Sequence, residues 1–236
     1  MPHRPIRLFV ASTALLATTA LAATALAAPA SEHVRGTVTA ISGDTLTVHT
    51  RGGADVPVTL TGATHYAEVL KSSLDKIEPG SYIGTAAKSI GGGDLVALEV
   101  VVFPPAMRGV GEGHYAWDRV KDTTLSGGAM TASTMTNGTV STAAAAGGGK
   151  YVNSTMTNGT VSTASADGGA KQITVTYKGG RQVVIVPPTA PIVTLHPGSL
   201  SEVVPGKTVF VNGRSDGGKV TAVSVVIGTK GVNPPM

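Results

Sequence analysis

A block of apolar alternation occurs twice in this chain, and that recurrence constrains every fold it can adopt. Residues 55–74 (DVPVTLTGATHYAEVLKSSL) align without gaps on residues 181–200 (RQVVIVPPTAPIVTLHPGSL), at an offset of 126. The same offset carries Pro79-Gly80 onto Pro205-Gly206 and Ile83 onto Val209. After a one-residue deletion, residues 95–102 (LVALEVVV) fall on residues 220–227 (VTAVSVVI). Upstream, Leu46-Thr47-Val48 matches Ile173-Thr174-Val175, and Gly36-Thr37-Val38 matches Gly159-Thr160-Val161. Two copies of one supersecondary unit are therefore expected.

The unit is β. Val34, Gly36, Val38 and Ala40 alternate with polar neighbours, as do Leu46 and Val48, then Val56, Val58 and Leu60. Period-two alternation marks half-buried strands. Turns such as Ser42-Gly43-Asp44, Gly52-Gly53 and Gly91-Gly92-Gly93 separate them. Ser73 is placed to cap a short helix whose Leu74 and Ile77 plug the end of a barrel. Ser199, Leu200 and Val203 repeat that arrangement. Three strands, a short helix and two more strands is the order of an OB-like five-stranded barrel. The expectation is an all-β chain of two tandem barrels of this kind, each with one short helix.

Composition narrows the class. The chain has 236 residues, 14% charged and 4% aromatic, with 31 Gly and no Cys. Charged amphipathic bundles are excluded, since an ordinary domain carries about 25% charged residues. Disulfides, thiolate metal sites and iron–sulfur clusters are excluded outright. Arg4 and Arg7 precede an uncharged stretch, residues 8–28, with small-x-small signatures at Ala25-Leu26-Ala27 and Ala28-Pro29-Ala30. That pattern reads as a secretory signal peptide over residues 1–30, predicting a periplasmic or secreted protein with no membrane span after cleavage. Residues 31–122 carry net charge −3 and residues 123–236 net +5. The basic residues are scattered without interleaved aromatics, which argues against a nucleic-acid partner.

The expected organisation is a first β domain over 31–103, a linker over 104–153 and a second β domain over 154–236. The Gly/Ala/Thr-rich linker holds the first copy of an exact repeat whose second copy opens the second domain: residues 133–142 and 154–163 both read STMTNGTVST. Only the second copy leads directly into the second domain, so the first is expected to be a loop or a spare edge strand. The run MRGVGEGHYAWD (107–118), followed by STMTNGTV (154–161), resembles a family of exported bacterial proteins of unknown function. That family has tandem OB-like domains, and some members carry automatic metal-transporter labels. The resemblance implies fold and export far more than activity, and the second STMTNGTV segment departs from the family's pattern.

Two functional readings follow. The first is a non-enzymatic binding or scaffolding protein for a protein or small-molecule ligand, needing no cofactor. Its surface would lie around Arg108, Tyr115 and Trp117. The second is a metal-handling accessory protein. Glu112, His114 and Asp118 would share one face of an extended strand, and imidazole with carboxylates suits Zn or Cu. Against the metal reading stand an ordinary Glu112–Arg108 pair, a loop-capping His114 and a Trp117 that anchors the segment by burial. Met130, Met135 and Met156 lack a recognisable copper-binding spacing and read as gap-fillers or loop residues. No nucleophile elbow or paired acid and base is visible, so an enzyme is not expected.

Overall fold

The structure is a computed structural model that describes residues 30–125, 128–146 and 169–235. The signal-peptide reading falls on residues outside this range, apart from Ala30, as does the 154–163 repeat. The described chain is all-β and contains thirteen strands. They are β1 (Ala30–Ser42), β2 (Thr45–Thr50), β3 (Asp55–Thr59), β4 (His65–Lys71), β5 (Tyr82–Gly91), β6 (Asp94–Val102), β7 (Gly113–Lys121), β8 (Met130–Ala145), β9 (Lys171–Tyr177), β10 (Gly180–Val186), β11 (Ile192–Pro197), β12 (Thr208–Asp216) and β13 (Lys219–Gly228). All belong to one hydrogen-bonded sheet. Where short helices are expected stand single 3₁₀ turns, Leu74–Lys76 and Leu200–Glu202. Three residues are too few to form an α-helical turn with its own hydrogen bonds, and Ser73 makes no side-chain cap.

The alternation lands as read in β2, but in β1 it fails at Ala40: a bulge between Val38 and Ala40 leaves Ala40 exposed and packs Ile41 against the core. Leu46 and Val48 of β2 are fully buried, while Thr45 and His49 face solvent. Gly91, Gly92 and Gly93 all have positive φ, which lets them turn β5 into β6.

Connectivity is where the fold departs from the tandem order. β1 pairs with β2 and β2 with β3, as expected within the first copy. The cycle is completed by strands of the second copy: β1 pairs with β12, β12 with β13, and β13 runs parallel to β3. The second cycle is the mirror assignment. β8, β9 and β10 pair in order, β10 runs parallel to β6, β6 pairs with β5, and β5 returns to β8. Each five-strand cycle thus takes three strands from one half of the chain and two from the other. The pairings cross the expected 31–103 and 154–236 boundaries.

Both cores are mixed accordingly. One joins Val38, Leu46 and Val58 to Val203, Val211 and Ile227. The other joins Ile77, Ile83 and Leu95 to Val140, Ile173 and Val184. Ile77 is fully buried and does plug a cycle, but the one completed by β8–β10. Backbone contacts repeat the exchange. Val38 N–H donates to Lys207 O and Gly206 N–H to Val38 O, each at 2.8 Å; Val140 N–H donates to Ser81 O and Gly80 N–H to Val140 O, also at 2.8 Å. The counterpart of Val38 is thus Val140, and the counterpart of Gly36 is Gly138. A Cβ on Gly36 would collide with the carbonyl oxygen of His49, and one on Gly138 with that of Thr176. The first STMTNGTVST copy is therefore an integral strand between β5 and β9, not a loop or spare edge. Met135, Thr136, Asn137 and Val140 within it are buried.

β4 and β11 join the cycles. They pair antiparallel with each other, while β4 runs parallel to β13 and β11 parallel to β6. One strand breaks the twofold pattern. β7, from the expected linker, pairs among the described residues only with β8, on the edge that β9 takes further along. Its Trp117 and Val120 pack with Ala86, Leu98 and Met135.

Candidate functional site

β7 and the start of β1 face one another over the β6–β11–β13 part of the sheet and enclose a pocket of about 410 Å³. Val101, Leu195 and Val226 contribute apolar lining, and Phe103, Tyr115, Trp117 and Phe210 contribute aromatic walls. The chain has only nine Phe, Tyr and Trp residues, so four in one pocket is a strong local enrichment. Ser31, Asn137, Asn212 and Ser224 add neutral polar groups.

A polar bridge spans this region. Arg35 on β1 donates from Nη1 to Asp118 Oδ2 on β7 at 2.6 Å, and His33 Nδ1 donates to the same oxygen at 2.9 Å. The His33 ring lies 4.4 Å from that of Trp117 and 5.5 Å from that of Phe210. The Arg35 guanidinium sits 4.7 Å over Phe210, a cation–π distance. Burial pushes the Asp118 carboxyl up, but the hydrogen bonds and charges of Arg35 and His33 outweigh it and hold the group below the usual carboxylate range. Burial raises the Tyr115 phenol. Trp117 Nε1 is buried and has no hydrogen-bond partner among the described residues. Leaving such a donor unmet costs about 1–3 kcal/mol.

The residues singled out in sequence separate here. Tyr115 and Trp117 share a face of β7 with ring centroids 6.0 Å apart, and both line the pocket. Arg108 does not. Its guanidinium donates to Thr139 Oγ1 and Gly80 O, at 3.0 and 2.7 Å, and ties the 3₁₀ turn Pro105–Met107 to β8 and the β5 approach. Glu112, His114 and Asp118 do not converge. Glu112 accepts the Lys178 backbone N–H at 2.9 Å, His114 Nδ1 hydrogen-bonds Thr136 Oγ1 at 2.8 Å, and Asp118 serves the bridge. The physical reason is a register shift in β7 between Trp117 and Val120, together with partners for each group on three different elements. Among the described residues no group of three or more His, Asp or Glu side chains is gathered to hold a metal ion. Met135 is a core residue and Met130 is exposed; Met156 lies outside the described residues. Asn137, in an Asn-Gly-Thr sequence, is buried; its Nδ2 donates to Gly111 O at 2.9 Å.

Sequence reasoning missed His33, Arg35 and Phe210. His33 and Asp118 are 85 residues apart, and no local pattern announces their contact. The single signal was the rarity of Tyr115 and Trp117 in an aromatic-poor chain.

A second, wider cavity of about 1000 Å³ adjoins the first and shares His33 and Pro235 with it. No helix among the described residues is long and apolar enough to cross a membrane. No protein-family model, curated protein or solved structure matches this chain.

Proposed function

We propose that this is an exported, non-enzymatic binding protein whose ligand is a saccharide seated between β1 and β7. The observation that carries the reading is the gathering of Phe103, Tyr115, Trp117 and Phe210, four of the chain's nine Phe, Tyr and Trp residues, around one pocket. The C–H face of a sugar ring suits the aromatic walls, and Ser31, Asn212 and Ser224 offer neutral donors and acceptors for its hydroxyls. The volume falls within the roughly 300–1,000 Å³ of small-molecule sites.

The fold supports this assignment. We read each five-strand cycle as an OB-like barrel, and the pair as a duplicated scaffold whose halves have exchanged strands. β7 is the element without a counterpart among the described residues, and it brings Tyr115, Trp117 and Asp118. An element added to a duplicated scaffold, carrying two of the four pocket aromatics, is where a ligand site belongs. Fold alone does not fix a ligand, so the argument rests on the site.

The test is calorimetric titration of residues 31–236 with a panel of neutral and acidic mono- to tetrasaccharides, beside Trp117→Phe. Binding by the natural chain, weakened at least about tenfold in Trp117→Phe without loss of melting temperature, supports the reading. No binding across the panel, or equal binding by Trp117→Phe, overturns it.

A further inference from the structure

The wide cavity beside the aromatic pocket is cationic. Arg35, Arg51, Lys71, Arg119 and Lys121 line it, against Glu32 and Glu99. Arg35 is engaged with Asp118, and Arg119 donates to the Met130 carbonyl. Arg51, Lys71 and Lys121 are different. They are exposed and make no ion pair or side-chain hydrogen bond among the described residues. They come from three separate places: the β2–β3 turn, the end of β4 and the end of β7. Three uncommitted cations from three elements on one concave surface make a field that favours an anion.

We infer that the ligand is an acidic oligosaccharide, with one ring against Trp117 and its neighbouring carboxylates running into the cleft toward Arg51, Lys71 and Lys121. This inference rests on the saccharide reading of the pocket and adds the ligand's charge and length. Contiguity argues for it, because the pocket and the cleft meet at His33 and Pro235. The lining argues for a sugar chain over nucleic acid. Among the described residues the cleft carries no Phe, Tyr or Trp on which unpaired bases could stack. It offers the hydroxyls of Ser72 and Ser73 and the apolar faces of Pro188, Pro191 and Pro234. Hydroxyl partners between apolar patches match a chain whose rings have hydroxylated edges and C–H faces.

The experiment titrates the mature protein with tetragalacturonate, with maltotetraose as the neutral chain of equal length and with an eight-residue oligothymidylate. Arg51→Gln, Lys71→Gln, Lys121→Gln and the triple variant accompany the natural chain. Tetragalacturonate is expected to bind tightest, with affinity falling as salt rises. Each single variant is expected to weaken it about three- to tenfold, and the triple variant to bring it to the level of maltotetraose. Melting temperatures should stay unchanged, because the three side chains are exposed and unpaired. Equal binding of the two tetrasaccharides, or unaltered tetragalacturonate binding by the triple variant, overturns the inference and leaves a neutral-sugar site standing. Tighter binding of the oligothymidylate overturns it in favour of a nucleic-acid cleft. Failure of both tetrasaccharides to bind overturns the inference together with the saccharide reading.

Discussion

Val69 on β4 lies opposite Leu195 on β11, and the two are the same position of the two sequence copies, 126 residues apart. The flanking pairs, Leu70 with Thr194 and Glu68 with His196, exchange under the same offset. A twofold axis relating the halves therefore passes between Val69 and Leu195. Both are buried in the cluster that joins the cycles, with Val101 and Val193. Exchange of strands about this axis explains why each core draws on both halves.

The exchange predicts that the first copy is not a domain. Residues 31–103 alone should give no folded monomer, because β1–β3 close on β12 and β13, and β5 and β6 close on β8 and β10. Circular dichroism with sedimentation checks this. A cooperatively folded monomer would restore the tandem arrangement.

The two apolar positions of the repeated Leu-x-x-apolar element should differ in their energetic weight. Ile77 is fully buried, so Ile77→Ala should cost about 2–5 kcal/mol. Leu200 occupies the place of Leu74 in the second copy but is 46% exposed, so Leu200→Ala should stay within about 0.5 kcal/mol. Urea unfolding monitored by Trp117 measures both.

Close backbone approach makes Gly36 and Gly138 a matched pair. Gly36→Ala and Gly138→Ala should each destabilise by more than the roughly 0.5–1 kcal/mol that glycine itself costs inside a strand, and in the opposite direction. Thermal unfolding of the two variants, beside Gly62→Ala, where a Cβ meets nothing and φ is not positive, tests this. Neutral effects at both sites would deny the packing of β1 on β2 and β8 on β9.

Acid should weaken the fold at two carboxylates. Asp118 is held low by Arg35 and His33. Asp122 is pushed up by burial, but Lys88 Nζ at 2.6 Å and Thr124 bring it below its usual value. A carboxyl with a lowered folded pKa adds stability above its unfolded value, about 4, and that stability is lost as pH falls through the folded value. Stability should therefore be level at mildly acidic pH and decline below about 4. Asp118→Asn and Asp122→Asn should each flatten that decline. An unchanged acid limb in both variants would contradict the two pairings.

Chelation should leave the melting temperature of the mature protein unchanged, with and without added Zn or Cu, because Glu112, His114 and Asp118 each have a separate partner. Stoichiometric metal lost in His114→Ala would restore the metal reading.

Much of this was legible in the residues and part was not, for physical reasons. Alternation at Leu46, Val48 and Val58 fixed the strands and their inward faces. The 126-residue offset disclosed the duplication. Connectivity stayed hidden because Pro79-Gly80 and Pro205-Gly206 are interchangeable partners for the Gly-Thr-Val segments. Local chemistry cannot say which one closes on Val38. The same ambiguity sent Gly36-Thr37-Val38 to 159–161, whereas the described equivalent is 138–140. Trp117 and Tyr115 stood out by rarity. Their partners His33, Arg35 and Phe210 did not, since they come from the other cycle and share no motif with β7.

The most direct measurement uses the fact that Trp117 is the only Trp in the chain. A ¹⁵N-labelled mature protein should show one indole N–H resonance. On titration with the saccharides, that resonance should shift and saturate as a sugar ring packs against the Trp117 ring that lines the pocket. An indole resonance that stays fixed while the same saccharides are added would contradict the placement of the ligand at Trp117.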